Sequence, residues 1–315
     1  MKISNLFKEK IDLDDNLIKI STTSQDKNQA QTNAVFSEKW NYIKSNENTE
    51  LLATFQKEWF LELYGFQNEE DLAKTLQKNK IILDAGCGLG YKSVWFAELA
   101  PQSIVVGMDY SSSVEIAAEK YNNFNNLYFV QGDIAATNIK EHQLDFIVCD
   151  QVIMHTENPN ETFAHLSKLL AIEGEFCCYV YRKKALPREL LDTYFRDEVH
   201  NISKDQIWEM SEQLTLLGER LSKLEVKIDS PDIPLLGITG GKMDIQRFIY
   251  WNFIKCFWKE DWSHELNIST NFDWYSPSNA KRFSEEEFKI LISKNKLSTE
   301  YFHKENACYS GRFKK

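Results

Sequence analysis

Asp84 stands two residues ahead of three glycines at alternate positions in residues 81–90, "IILDAGCGLG". Glycines that follow an apolar strand let the backbone turn tightly and approach a ligand closely. An acid at 84 is placed to meet a cationic amino group and would repel a pyrophosphate. Asp109 ends the next apolar run, 19 residues after Gly90, where a carboxylate can accept from both hydroxyls of a ribose. Asp133 ends a third run in "VQGDI", placed to accept from an adenine amino group, with Ile134 against the ring. A dinucleotide fingerprint G-x-G-x-x-G would need glycine at 91, where the chain has Tyr91. An ammonium-bearing nucleoside therefore fits this set better than a dinucleotide.

The elements that must hold these residues alternate. "IILDAG", "SIVVGMDY", "LYFVQGD", "LDFIVCDQVIM" and "GEFCCYVYR" are strand-like, and "YKSVWFAELA", "SVEIAAEKY" and "NETFAHLSKLLA" are helix-like. This alternation predicts right-handed β-α-β units and a parallel sheet, with ligands at the carboxyl ends of its strands. "SEEEFKILISKNKL" reads as a helix opened by Ser284, and "STEYFHKE" and "ACYSGRFKK" as a closing pair of strands. Upstream, Phe36 and Trp40, then Leu52, Phe55, Trp59 and Leu63, have the spacing of two amphipathic helices. Residues 21–34 read as a polar linker behind a short N-terminal arm.

These motifs resemble class I S-adenosylmethionine-dependent methyltransferases of the type that modifies small molecules. "LDAGCGLG", "VVGMDYS", "VQGDI" and "LDFIVCDQVIMHTENPNETFAHLSKLLAIEGEF" carry the resemblance, over roughly 36–183 and the closing helix and strands. It implies an α/β, Rossmann-like, open and mostly parallel seven-stranded sheet with helices on both faces. It implies S-adenosyl-L-methionine as cofactor and S-adenosyl-L-homocysteine as product. Asp84, Gly86, Gly88 and Gly90 would line methionine and ribose, Asp109 would hold the ribose hydroxyls with the adjoining Tyr110 a further cofactor contact, and Asp133 with Ile134 would frame adenine. Asp150 and Gln151 would face the methionine end, and Trp40 is a candidate contact from an N-terminal helix. Nucleobase and glutamine methyltransferases carry an Asn/Asp-Pro-Pro-aromatic run after strand four. Here the chain reads Asp150-Gln151-Val152-Ile153, which disfavours base methylation.

Methyl transfer from a sulfonium is an in-line displacement, so catalysis is mostly alignment, plus a base where the nucleophile carries a proton. His155 lies five residues past Asp150 and is the candidate base; packing or helix capping is its ordinary alternative. Tyr181 and Arg182, ending strand five, could orient an anionic or hydroxylated acceptor, or belong to a solvated charge run. Residues 185–275 break the alternation and read as a helical insertion and substrate lid. Ser203 with Gln206 resembles a capping box, and Ile207, Met210, Leu214, Leu217, Leu221 and Leu224 form a stripe behind it. That stripe suits core packing; a homodimer through it would run into Gly218. Residues 248–275 hold ten aromatics, with a helix expected over 246–258. Most should be core, and "FDWYSP", with Asp273, Trp274 and Tyr275, is the candidate substrate wall. The segment "GITGGK" is one residue short of a phosphate loop and reads as a turn.

The expected organisation is an arm and linker over 1–35, a methyltransferase domain over 36–184 and 276–315, and the insertion over 185–275. The formal net charge of −10 disfavours a nucleic-acid partner. Six cysteines without a C-x-x-C pair suit a reducing, cytoplasmic setting and no metal, with adjacent Cys177 and Cys178 on opposite faces of a strand. No apolar run is long enough to span a bilayer, so no membrane is expected. The expected activity is methyl transfer to a small-molecule hydroxyl or amine. Other classes stay open: a protein side-chain methyltransferase, a nicotinamide-dependent oxidoreductase, and a non-catalytic scaffold of the same fold.

Overall fold

The computed structural model describes residues 2–20, 26–42 and 46–315, with side chains omitted at 40–42 and 46–50. In chain order the elements begin with β1 (Leu13–Asp14), β2 (Leu17–Lys19), α1 (Lys27–Tyr42), α2 (Asn46–Tyr64) and α3 (Glu69–Leu76). Next come β3 (Ile81–Ala85), α4 (Tyr91–Leu99), β4 (Ile104–Asp109), α5 (Ser113–Lys120), β5 (Leu127–Gln131), β6 (Leu144–Cys149), α6 (Pro159–Leu169) and β7 (Leu170–Arg182). Then follow α7 (Leu186–Glu198), α8 (Lys204–Ser222), β8 (Lys227–Ser230), β9 (Gly241–Asp244), α9 (Ile245–Asn252) and α10 (His264–Tyr275). The last are β10 (Arg282–Phe283), α11 (Glu285–Lys294), β11 (Ser298–Lys304) and β12 (Cys308–Lys314). They form two compact units: Met1–Asp26, Ala53–Arg182 and Lys281–Lys315, and separately Lys27–Leu52 with Lys183–Ala280.

The first unit is built on one sheet, ordered β1-β2-β5-β4-β3-β6-β7-β12-β11, with β10 beside β7. From β2 to β7 every pairing is parallel, and β12 and β11 close the far side antiparallel. The seven expected strands are there in the order β5-β4-β3-β6-β7-β12-β11, with helices on both faces. Alternation along each buried strand makes the two faces: Ile81, Leu83, Ala85 and Cys178 pack with α6 and α11, while Ile82, Phe129 and Cys177 pack with α2–α5. The adjacent cysteines thus point to opposite faces, as their alternation requires. Residues 2–20 are more than an arm: β2 pairs parallel with β5, Leu17 to Phe129 through Lys19 to Gln131.

The second unit is helical apart from the β8–β9 hairpin. The polar stretch read as a linker is helical from Lys27 onward. Polarity does not break a helix, and 27–34 hold neither glycine nor proline. Gln31 and Thr32 instead bind the 276–279 loop, Gln31 Nε2 donating to the Ser276 carbonyl at 2.8 Å and the Asn279 N–H donating to Thr32 Oγ1 at 3.1 Å. The capping box at Ser203 and Gln206 is formed. The inward face of α8 keeps only part of the expected stripe, Ile207 and Leu214 buried with Met210 packed beside the core. Ser211, Thr215 and Gly218 complete that face, while Leu217 and Leu224 are exposed.

Small residues face inward there because another backbone lies against them. The helix expected over 246–258 stops at Asn252, and residues 255–259 run as a chain held by side chains of α10. Tyr275, Asn271 and Asn267, spaced four apart, accept from the N–H groups of Lys255 (2.9 Å), Phe257 (2.8 Å) and Lys259 (2.8 Å). The same three side chains donate to the carbonyls of those residues at 3.3, 3.1 and 3.0 Å. Helix period on one side meets strand period on the other, so no intrahelical ladder is needed in 255–259. A Cβ at Gly218 would lie 2.4 Å from the Cys256 carbonyl oxygen. Gly→Ala in a helix ordinarily stabilises by about 1 kcal/mol. Gly218→Ala should instead destabilise by roughly 1–2 kcal/mol through overpacking, read as a lower melting temperature. A rise would remove the chain from that face of α8.

Among the described residues, no helix is long and apolar enough to cross a membrane.

Candidate active site

The parallel strands β3 to β6 end along one edge, and the glycine loop is the turn that leaves β3 there. The N–H groups of Gly86 and Cys87 both donate to the Met108 carbonyl, at 2.7 and 3.0 Å, which bends the chain sharply. Gly86 has φ 88°, and a Cβ there would fall 2.3 Å from a Val152 methyl. Gly90 has φ 77° as it opens α4, and a Cβ there would meet the Phe129 ring at 2.9 Å. Both positions therefore exclude a side chain by space and by backbone conformation. Gly88, at φ 53°, donates its N–H to Asp109 Oδ2 at 2.8 Å, tying the loop to the end of β4.

Each acid has its own electrostatics. Asp84 is 1% exposed; its Oδ2 accepts from Ser93 Oγ at 2.7 Å, while its buried Oδ1 has no hydrogen-bond partner. Burial pushes its pKa up to about 6 against the pull of Lys92 and Ser93. A ligand ammonium at Oδ1 would satisfy that oxygen and restore the charged form. Asp109 is pushed up by burial as well, opposed by Ser111 and by the N–H groups of Ser111, Gly88 and Tyr110. Its Oδ1 accepts from Ser111 Oγ at 2.6 Å. Asp133 accepts from the Ala135 N–H at 2.8 Å. Ile134 is buried in the apolar cluster of its face, and Tyr110 is half-buried after Asp109.

Asp150 is engaged through both oxygens: Tyr64 donates to Oδ1 at 2.8 Å, and Lys92 Nζ to Oδ2 at 2.7 Å. Lys92 is itself buried. Burial favours its neutral form, but Asp150 and Asp84 outweigh this and hold its pKa above the ordinary lysine value. Gln151 reaches Asp150 Oδ2 at 3.3 Å from a left-handed backbone, φ 63°. The reading of the sequence missed Tyr64, Lys92 and Ser93. A signal was present for Lys92: a lysine in the first turn of a helix opposes the dipole, so its place in "YKSVWF" needs a local acid.

His155 ends a short 3₁₀ turn after β6 and is 6% exposed. Its Nε2 lies 3.4 Å from Tyr181 Oη, with the rings edge-to-face at 5.5 Å. The fold thus brings together two candidates read separately. Arg182 donates to the Glu305 carbonyl at 3.2 Å and lies over the Tyr309 ring. The side chain of Trp40 lies outside the described residues.

Asp273, Trp274 and Tyr275, the candidate substrate wall, belong to the helical unit and form the last turn of α10. Asp273 pairs with Lys39 at 2.5 Å and lies 3.8 Å from Lys255, whose pKa burial lowers to about 8 against the pull of Asp273. Trp274 Nε1 donates to Asp192 Oδ1 at 2.9 Å, and Asp192 pairs with the buried Arg188. Tyr275 is fully buried. These side chains have assigned partners inside their own unit.

Residues 76–228 match a methyltransferase-domain family model. An uncharacterized methyltransferase of Schizosaccharomyces pombe is 28% identical over 34% of this chain and 42% of its own length. A malonyl-[acyl-carrier protein] O-methyltransferase of Halalkalibacterium halodurans is 31% identical over 30% of this chain and 36% of its own. The chain thus spans less than half the length of these curated relatives. A crystal structure of a SAM-dependent methyltransferase from Aquifex aeolicus superposes with a TM-score of 0.44 at 11% identity, covering 88% of this chain and 97% of that one. These findings support a class I S-adenosylmethionine-dependent methyltransferase, with the family match covering just under half of this chain.

Proposed function

We propose that this protein transfers a methyl group from S-adenosylmethionine to a hydroxyl or amine of a small-molecule acceptor. The observation that carries the reading is the buried Asp84 Oδ1 without a partner, beside a loop that admits no side chain at Gly86 or Gly90. When bound, S-adenosylmethionine supplies an electrophilic methyl on a sulfonium. The protein's part is to position and to exclude. Asp84 offers an oxygen to the amino group, and Asp109, held by Gly88 and Ser111, is fixed for the ribose. Asp133 stands beyond it for adenine. His155, oriented by Tyr181, takes the acceptor's proton where one must leave. Cys149, Asp150 and Lys92 keep the floor of the edge buried.

Calorimetry with S-adenosylhomocysteine tests the reading directly. Tight binding is expected, whereas NADH binding without a response to S-adenosylhomocysteine would overturn it. Asp109→Ala should weaken that binding by about 1.5–3 kcal/mol, the worth of hydrogen bonds to a charged acceptor. Unchanged affinity in a folded variant would take Asp109 out of the site.

A further inference from the structure

We propose that the β11–β12 hairpin holds a divalent metal site of the zinc type, made by His303, Glu305 and Cys308. Strand geometry brings the three together. His303 lies in β11 and Glu305 just past its end, two positions on, the spacing that repeats one face of a strand. Lys304 pairs with Tyr309 and His303 with Ser310. The Glu305 N–H donates to the Cys308 carbonyl at 3.2 Å, which sets Cys308 opposite Glu305 across the two-residue turn. One ligand atom from each residue lies within 4.8 Å of the others.

Two of the separations already suit an ion. His303 Nε2 is 3.6 Å from Glu305 Oε2, and Cys308 Sγ is 3.5 Å from Glu305 Oε1. Tetrahedral zinc with nitrogen, oxygen and sulfur ligands needs about 3.3–3.6 Å between them. The second observation is His303 Nε2 itself, a buried ring nitrogen without a hydrogen-bond partner. A buried polar atom left unpaired is costly, and a cation between it and the carboxylate satisfies both. Glu305 keeps 31% of its side chain exposed, which leaves a path of entry.

The class of ion follows from the donors. Imidazole, carboxylate and thiolate on one centre suit zinc, and hard, oxygen-seeking calcium and magnesium do not. Three protein ligands leave a fourth position for water. As the metal–sulfur bond forms, the Cys308 thiol releases its proton to solvent, so binding weakens as pH falls. Cys308 pairs in register with Tyr181 of β7, the residue that meets His155. The inference rests on the hairpin alone, so it stands or falls separately from the methyl-transfer reading.

The full chain, stripped with chelator, is titrated with Co²⁺ and then with Zn²⁺. One equivalent of Co²⁺ should give a thiolate-to-cobalt charge-transfer band, which Zn²⁺ abolishes, and Zn²⁺ should raise the melting temperature. Because Cys308 is fully buried, the variants used are His303→Asn and Glu305→Gln, and the band itself reports the thiol. Each should lose at least about 100-fold in affinity, since even outer-shell partners of a metal contribute 10–100-fold. A folded wild-type protein with no thiolate band and no zinc-dependent melting shift would overturn the proposal. So would undiminished binding in His303→Asn.

Discussion

Asp150→Ala should destabilise the sheet unit by about 3–5 kcal/mol, the usual result of stranding one member of a buried ion pair. The partner left behind is Lys92, whose side chain is 10% exposed while that of Asp150 is 2% exposed. Asp84 is the other carboxylate near Lys92. Asp84 hydrogen-bonds Ser93 rather than Lys92, so it replaces the lost carboxylate only in part. The Tyr64 hydroxyl loses its acceptor at the same time. At about 2–4 °C per kcal/mol for a unit of this size, thermal denaturation followed by circular dichroism should show a fall of roughly 6–20 °C. The double variant Lys92→Met/Asp150→Leu should recover much of the loss, because an apolar pair leaves no buried charge. A melting temperature within a degree or two of wild type for Asp150→Ala would show that water reaches Lys92.

His155→Ala should lower turnover about 100-fold or more and leave affinity for S-adenosylhomocysteine nearly intact. His155 is held by its backbone N–H donating to the Val152 carbonyl at 2.8 Å and by the Tyr181 ring. Its Nε2 lies 3.4 Å from the Tyr181 hydroxyl, a contact that fixes the orientation of the ring. Turnover is read as release of S-adenosylhomocysteine in the presence of acceptor. Tyr181→Phe should reduce it less, since it removes an orienting contact and not the base. An early-melting His155→Ala that turns over normally would make this histidine a packing residue.

What was legible in the sequence follows from the range of the interactions involved. The sheet was readable because each buried strand and its helix carry their own periodicity, and because glycine and aspartate have narrow reasons to stand at a strand end. Lys92, Tyr64 and Ser93 were not readable as site residues. Their partners lie in other segments: Lys92 meets Asp150, 58 positions on, and Tyr64 meets the same acid from 86 positions away. The aromatic segment misled for a related reason. Residues 246–258 have a helix's composition, but Asn267, Asn271 and Tyr275 capture the backbone of 255–259, and nothing local announces that. Likewise the stripe of α8 was right at Ile207 and Leu214, while the close backbone at Gly218 turned Leu217 outward.

The β1–β2 segment also settles how the sheet ends. Without it, β5 would present an open row of N–H and carbonyl groups from Leu127 to Gln131, in a strand with the composition that recruits other strands. With β2 seated there, the outermost strand on that side is β1, only two residues long. On the other side β11 is interrupted by a register shift between Thr299 and Tyr301 and carries Glu300 and Lys304. One border is too short to template pairing and the other too irregular and charged. Among the described residues, the sheet therefore offers neither side as a seed for strand-by-strand association between copies.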